Sequence, residues 1–410
     1  MNDSTLAIIR EQVIRLAETN AFYRDHYRGV ENLDLKNIDD FQRLPFIEKQ
    51  DLRDAYPLGL CAVDTDEIVR VHSSSGTTGV PVIIPYTRKD VDDWGLLFER
   101  CYRIAGVTNK DRVHVTPGYG LWTAGGGFQA GAERVGAMVI PMGPGNTDKQ
   151  IQFMVDLGST VLGATSSYAL LLAEEITKRG LLDKIKLKKA VIGSERWGDK
   201  MRARIANELG VNLYDIYGLT EIYGPGIGIS CDAEIGMHYF DDYLYFEIID
   251  PKTGRALPEG ELGELCISTL RKEGAPLIRY RTHDLTRIMP AGDCPCGCPF
   301  PRIDRILGRT DDMVKVKAVN IYPGQVDEVL KQVDGVSSEY QVLIDHQRGR
   351  DAMTVIFETG LPPEDRENLE SRARNKFKAL IGITIIPKAV SIGDLPRSEK
   401  KSTRIFDNRH

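Results

Sequence analysis

The stretch VLGATSSYALLLAEEITKRG (161–180), with KKAVIGSE (188–195) following it, decides how the chain is to be read. An apolar run of strand length opens it, an amphipathic helical run follows, and a second strand-length run closes it. Two strands joined through a helix point to parallel pairing in an α/β layer. The same alternation recurs upstream: VHVTPGYG (113–120) before GGFQAGAERVG (126–136), and AMVIPMG (137–143) before TDKQIQFMVDLG (147–158). The expected fold is therefore α/β, with layered sheets and helices from about Val71 to Pro290.

Beyond Arg309 the texture changes. DMVKVKAVNIYPG reads as strand, QVDEVLKQVDG as helix, YQVLID and AMTVIFET as strands, and RENLESRARNKFKALIG as a charged helix. This predicts a small α+β module over 310–410 behind a large domain over 1–309. At the other end, MNDSTLAIIREQVIRLAET spaces Leu6, Ile9, Val13, Ile14 and Leu16 as an amphipathic helix, with charges that a signal peptide lacks.

The 410 residues carry 53 basic and 59 acidic side chains, a net charge of −6. Interspersed charge with no basic face argues against a nucleic-acid or membrane-surface protein. Seven cysteines form no disulfide framework, and the odd number fits a reducing, cytoplasmic setting.

The segment HSSSGTTGVPVIIPYTRKD (72–90) crowds hydroxyls and glycines ahead of a strand. Glycines expose backbone N–H groups and hydroxyls add donors, which together suit anionic oxygens. A Walker loop needs GxxxxGK[ST], and no lysine follows Gly79. Composition alone leaves a phosphate cradle and a flexible linker level.

Other motifs decide between them. SSSGTTGVP, YGLTE (217–221), YRTHD (280–284), GRTDDM (308–313) and PRSEKKSTRIF (396–406) occur in this order. The set resembles the adenylate-forming (AMP-binding) superfamily and, more closely, the phenylacetate–CoA ligase family, from LPFIEKQDLRDAYP (44–57) to the end of the chain. The resemblance implies a large adenylate-forming domain and a mobile C-terminal cap. It also implies an ATP-dependent ligase that activates a carboxylic acid as acyl-AMP, then passes the acyl group to coenzyme A and releases AMP and pyrophosphate.

Residue by residue, the resemblance implies that Ser73, Ser74, Ser75, Gly76, Thr77, Thr78 and Gly79 hold the departing phosphates. Glu221 matches the Mg²⁺ ligand, a hard cation that takes a carboxylate and phosphate oxygens, and Thr220 matches the α-phosphate contact. Tyr217 would stack on adenine, beside Ser194 and Glu195. Asp284 and Arg309 match the ribose contacts, and Asp311 the hinge about which the cap rotates. Lys401 aligns with the lysine that bridges the carboxylate and the α-phosphate, with Lys400 as its rival. Two departures stand out: His283 and Ala318 occupy positions where glycine is commoner. YGLTE itself reads as part of a helical region.

For the acid, TPGYGLWTAGGGF (116–128) offers Tyr119, Trp122 and Phe128 around Gly125–Gly127. Aromatic walls beside absent side chains would admit a flat ring, and core packing is the competing reading. The resemblance implies an aryl acid such as phenylacetate. A carrier-protein thiol as acceptor, or a nucleotide-binding module without turnover, are the alternatives, and a homodimer stays open as an assembly.

Three thiols in CPCGC (294–298) are not a packing motif. Cys231 and His238, spaced C-x6-H, could complete a tetrahedral Cys3His structural zinc site with Cys294 and Cys296, leaving Cys298 spare. Free thiols are the competing reading.

Overall fold

The computed structural model describes residues 1–74, 80–121, 123–195, 197–316, 319–347, 350–397 and 404–409, with only the backbone at 320, 347 and 350. Ser75, Gly76, Thr77, Thr78, Gly79, Trp122, Ala318, Lys400 and Lys401 therefore lie outside the described residues.

Eight strands form one sheet. Its order is Arg302–Ile303, Met237–Tyr239, Gly224–Ser230, Asn212–Leu219, Lys189–Gly193, Val161–Thr165, Arg112–Val115, Met138–Pro141. The pairs around Arg112–Val115 are parallel, as the helical crossovers demand. The pairs from Asn212–Leu219 to Arg302–Ile303 are antiparallel. Here the helical reading of YGLTE fails: the motif ends a strand, turns over 220–223, and returns as Gly224–Ser230. Pro225 cannot donate within a helix, and Gly224 and Gly226 adopt positive φ.

By its contacts the chain divides into two compact units, residues 1–143, 159–163 and 214–306, and residues 144–158, 164–213 and 307–410. In the first, the hydroxyl-rich segment is the connection of an antiparallel hairpin, Ile68–Ser73 with Ile83–Thr87, in register Ser73 to Ile83. Helix Arg88–Ile104 then buries Trp94, Leu97, Phe98, Cys101 and Tyr102 against helix Ala124–Val135. The glycines of that second helix serve the contact. A Cβ on Gly127 would come within 2.5 Å of the Trp94 ring, and one on Gly131 within 2.7 Å of Phe98. An antiparallel set, Leu244–Ile249, Gly263–Thr269 and Tyr280–Thr286, carries the YRTHD motif on its last strand.

The second unit holds helices Thr147–Asp156, Ser166–Lys178 and Asp199–Leu209 together with the C-terminal module. That module is α+β, as expected: strands Ile386–Ser391, Arg350–Thr359, Tyr340–Gln347 and Ile405–Asp407 form its sheet. Helices Pro323–Lys331 and Pro363–Leu380 complete it. The charged helix covers the sheet with Leu369, Ala373 and Phe377, four residues apart, over Val342, Val355 and Phe357. The N-terminal amphipathic segment is two helices, Asp3–Thr19 and Ala21–His26. Asn20 separates them, and its side chain caps the second.

Candidate active site and metal centre

In the first unit two of the motifs, YGLTE and YRTHD, meet at the turn after Asn212–Leu219. The Tyr217 hydroxyl donates to Asp284 Oδ2 at 2.6 Å, both residues being buried. A phenol given to a carboxylate at that length is a charge-assisted bond that fixes both side chains. The strand register slips between Tyr217 and Gly218. Only glycine fits at 218, because a Cβ there would lie 2.0 Å from the Gly224 carbonyl oxygen. Thr220 is half-buried on the turn. Glu221 is 4% exposed, with Oε1 2.9 Å from Lys49 Nζ on the short helix Lys49–Asp54. The turn is held from behind by Lys272, whose ammonium donates to the Ile222 carbonyl oxygen and lies 4.2 Å from the Tyr86 ring and 4.7 Å from that of Tyr223. Burial pulls the Lys272 pKa down to about 7, against the opposing pull of Asp90 and Glu221.

Asp284 sits beside a strained backbone. His283, at the place where glycine is commoner, has φ of 64°, a conformation that histidine tolerates better than most side chains. Its amide donates to Glu264 Oε1 at 3.3 Å.

At the hairpin, Ser73 N donates to Leu121 O at 2.8 Å. Ser74 closes the base of the connection twice: its amide donates to Val82 O at 3.0 Å, and its hydroxyl accepts from Val82 N at 2.9 Å. The strand–connection–strand setting differs from the strand-to-helix setting of a Walker loop. Next to Leu121, Tyr119 is half-buried, and burial pushes its phenol up to about 12. Its hydroxyl has no hydrogen-bond partner among the described residues. Phe128, expected as a pocket wall, is 1% exposed and packs on Phe98 at 4.8 Å. A Cβ on Gly163 would meet its ring at 2.5 Å.

In the second unit Ser194 is exposed with φ of 69°, and Glu195 turns back onto helix Ser166–Lys178. Its Oε2 accepts from Ser166 Oγ at 2.9 Å, Ser167 N at 3.2 Å and Ser167 Oγ at 2.5 Å, an anionic cap on the helix N-terminus. Arg309 forks onto Asp311 with both contacts at 2.8 Å. The expected ribose contact and the expected hinge residue are thus one exposed ion pair.

The four expected zinc ligands come together. One donor atom each of Cys231, His238, Cys294 and Cys296 lies within 4.8 Å of the others. Cys231 Sγ is 3.6 Å from Cys294 Sγ, and Cys296 Sγ is 3.3 Å from His238 Nε2. His238 Nδ1 lies 2.8 Å from the Phe300 carbonyl oxygen, so the N–H belongs on Nδ1 and the Nε2 lone pair faces the thiols. Burial pushes the Cys231 thiol up to about 12, which a bound cation would reverse. Cys298 stays at the rim, its amide donating to Cys296 Sγ at 3.4 Å. The donor set fits a tetrahedral divalent ion.

Lys49 and Lys272 were not singled out by sequence reasoning. Their partners are 172 and 50 residues away, and nothing local marks them. Among the described residues no helix is long and apolar enough to cross a membrane.

The family model described as AMP-binding enzyme matches residues 8–270, and that of the AMP-binding enzyme C-terminal domain matches 318–409. The phenylacetate–coenzyme A ligase of Pseudomonas putida is 40% identical over 396 residues, covering 94% of this chain and 89% of that protein. A 2-hydroxyisobutyryl-CoA ligase solved in the postadenylation state with 2-HIB-AMP superposes with a TM-score of 0.90 at 26% identity, over 99% of this chain and 89% of that one. The same protein in its thioesterification state, with 2-HIB-AMP and CoA, gives 0.71 over the same shares. The chain belongs to the AMP-binding, adenylate-forming enzymes and, within them, to the phenylacetate–coenzyme A ligase family of ATP-dependent, AMP-forming acid–CoA ligases.

Proposed function

We propose that this ligase activates an aryl acid of the phenylacetate type. A carboxylate oxygen attacks the α-phosphorus of ATP, a P–O bond forms, the bond to the β-phosphate oxygen breaks, and pyrophosphate leaves. The coenzyme A thiolate then attacks the acyl carbon and AMP departs with the anhydride oxygen. Positioning and charge neutralisation carry both steps.

The reading rests most on the Tyr217–Asp284 bond beside the Thr220–Glu221 turn. Asp284, oriented by the phenol, would accept from the ribose hydroxyls, with Arg309 as a second contact and Ser194 near the base. Glu221 would hold Mg²⁺, which supplies charge neutralisation at the phosphates when bound. Ser73 and Ser74 anchor the connection whose residues Ser75–Gly79 would surround the departing phosphates. Lys401, on the C-terminal module, would bridge the carboxylate and the α-phosphate. The acid would lie beside Tyr119 and Trp122, with Phe128 behind them in the core. Cys231, His238, Cys294 and Cys296 would hold a structural zinc ion. The free thiols favour the cytoplasm, and sedimentation would test the homodimer. Because the related 2-hydroxyisobutyryl-CoA ligase is solved in a postadenylation and a thioesterification state, we infer a second placement of the module, turned about Asp311, for thioester formation.

The test is pyrophosphate release over a panel of aryl and alkyl acids, with and without coenzyme A. Sustained turnover with phenylacetate and free coenzyme A is expected. Turnover only with alkyl acids removes the substrate assignment, and a single burst despite coenzyme A points to a carrier thiol.

A further inference from the structure

Within the second unit the tail ahead of Lys401 is fastened at one half-buried arginine, Arg397. Glu358, on strand Arg350–Thr359 and fully buried, accepts from Gly393 N and Leu395 N, both at 3.0 Å. It also accepts from Arg397 Nη1 at 2.9 Å and Nη2 at 2.8 Å. These bonds lie inside the C-terminal module. The other side of the same guanidinium points to helix Ser166–Lys178: Nη2 donates to Glu174 Oε1 at 2.7 Å and Nε to Oε2 at 2.9 Å. Glu174 is gripped a second time by Arg204 Nη2 at 2.6 Å.

A separate contact secures the same module. Lys200 Nζ donates to the carbonyl oxygens of Leu330, Val333 and Val336 at 2.9, 3.0 and 2.7 Å, around the end of helix Pro323–Lys331. An ammonium on terminal helix carbonyls favours the helix dipole. Lys331 in turn pairs with Asp199.

The two halves of the Arg397 fork have different fates if the module turns. The Glu358 half travels with the module, and the Glu174 half must break. We propose that Glu174 is a positioning residue for the adenylating half-reaction: through Arg397 it holds the segment that runs, four residues later, into Lys401. This rests on the reading of Lys401 given above. We assign the placement that makes the Glu174 contact to the adenylating state. Breaking the contact then biases the module away from that state and leaves the thioester-forming placement untouched, since a contact can shift a two-state balance only through the state that makes it.

The experiment measures the halves separately in the full-length enzyme. Acyl-adenylate formation is followed by pyrophosphate exchange, and thioester formation by supplying synthetic acyl-adenylate with coenzyme A. Glu174→Gln keeps the shape and removes the charge. The expected result is a loss of roughly tenfold in exchange, the scale of one charge-assisted contact acting on a two-state balance, with thioester formation within about twofold of the parent. Arg397→Lys keeps the charge without the fork and should fall between. It also provides the reading if Glu174→Gln does not fold. Equal losses in both halves, or none in either, overturn the proposal. Lys401→Ala run alongside separates the two ideas. If it leaves exchange at the parental rate, the assignment of the lysine is wrong. If it abolishes exchange while Glu174→Gln has no effect, only the role of Glu174 falls.

Discussion

Tyr217 gives its phenolic proton to Asp284 at 2.6 Å, so the residue expected to face adenine and the residue expected to bind ribose are one hydrogen-bonded pair. Tyr217→Phe keeps a ring and removes the bond. A charge-assisted hydrogen bond contributes about 1.5 kcal/mol or more, which corresponds to roughly a tenfold rise in KM for ATP. The acid KM should move little. Steady-state titration of each substrate checks this, and an unchanged ATP KM would separate the pair from nucleotide binding.

Lys49 and a divalent cation would seek the same oxygen of Glu221, 2.9 Å from the ammonium. Lys49→Gln removes one competitor. The Mg²⁺ concentration for half-maximal pyrophosphate exchange should fall by about threefold, the scale of a half-exposed ion pair. A higher requirement would mean that Lys49 acts on the phosphates directly.

Lys272 has a pKa of about 7 in the folded chain and 10.5 as its ordinary value, because burial opposes its charge. Between those values the unfolded chain holds the additional proton, so this group makes stability rise with pH from 7 towards 10.5. Below 7 the cost of the buried charge is fully present. Tyr86 and Tyr223, raised well above 10.0 by burial, stay neutral over this window. Urea midpoints at pH 7 and 9.5 should therefore climb more in the parent than in Lys272→Met. Parallel slopes would show that the lysine keeps its proton.

For the metal centre, purified protein should carry about one zinc ion per chain, and chelation should lower Tm by about 5 °C or more. Cys231→Ser should do the same, while kcat at low temperature stays near the parental value because no ligand belongs to the nucleotide motifs. Folded protein that is purified without zinc and whose Tm does not respond to added zinc or to chelator would remove the site.

Much of this architecture could be read from the chain, for reasons tied to particular elements. Val161–Thr165 and Ser166–Lys178 each show one periodicity without competition, and the C-terminal helix spaces Leu369, Ala373 and Phe377 by fours. YGLTE misled because a turn between antiparallel strands has no period of its own. Gly125–Gly127 looked like room for a ligand, yet Gly127 is taken up by Trp94, since a missing side chain serves packing and binding equally well. The Cys–His set was legible because soft ligands rarely cluster by chance. Glu174 was not, because its partner Arg397 lies 223 residues away and neither has a distinctive neighbourhood.

The cap that Glu195 places on helix Ser166–Lys178 has a mechanical result. From Ser167 to Glu174 the helix is a rigid rod of about 10 Å, anchored at one end by the segment expected near the base and at the other by the arginine ahead of the tail. With Glu195 beside the base and Arg397 ahead of Lys401, as proposed above, the loss of either contact frees the same helix, so variants at its two ends should share one kinetic defect.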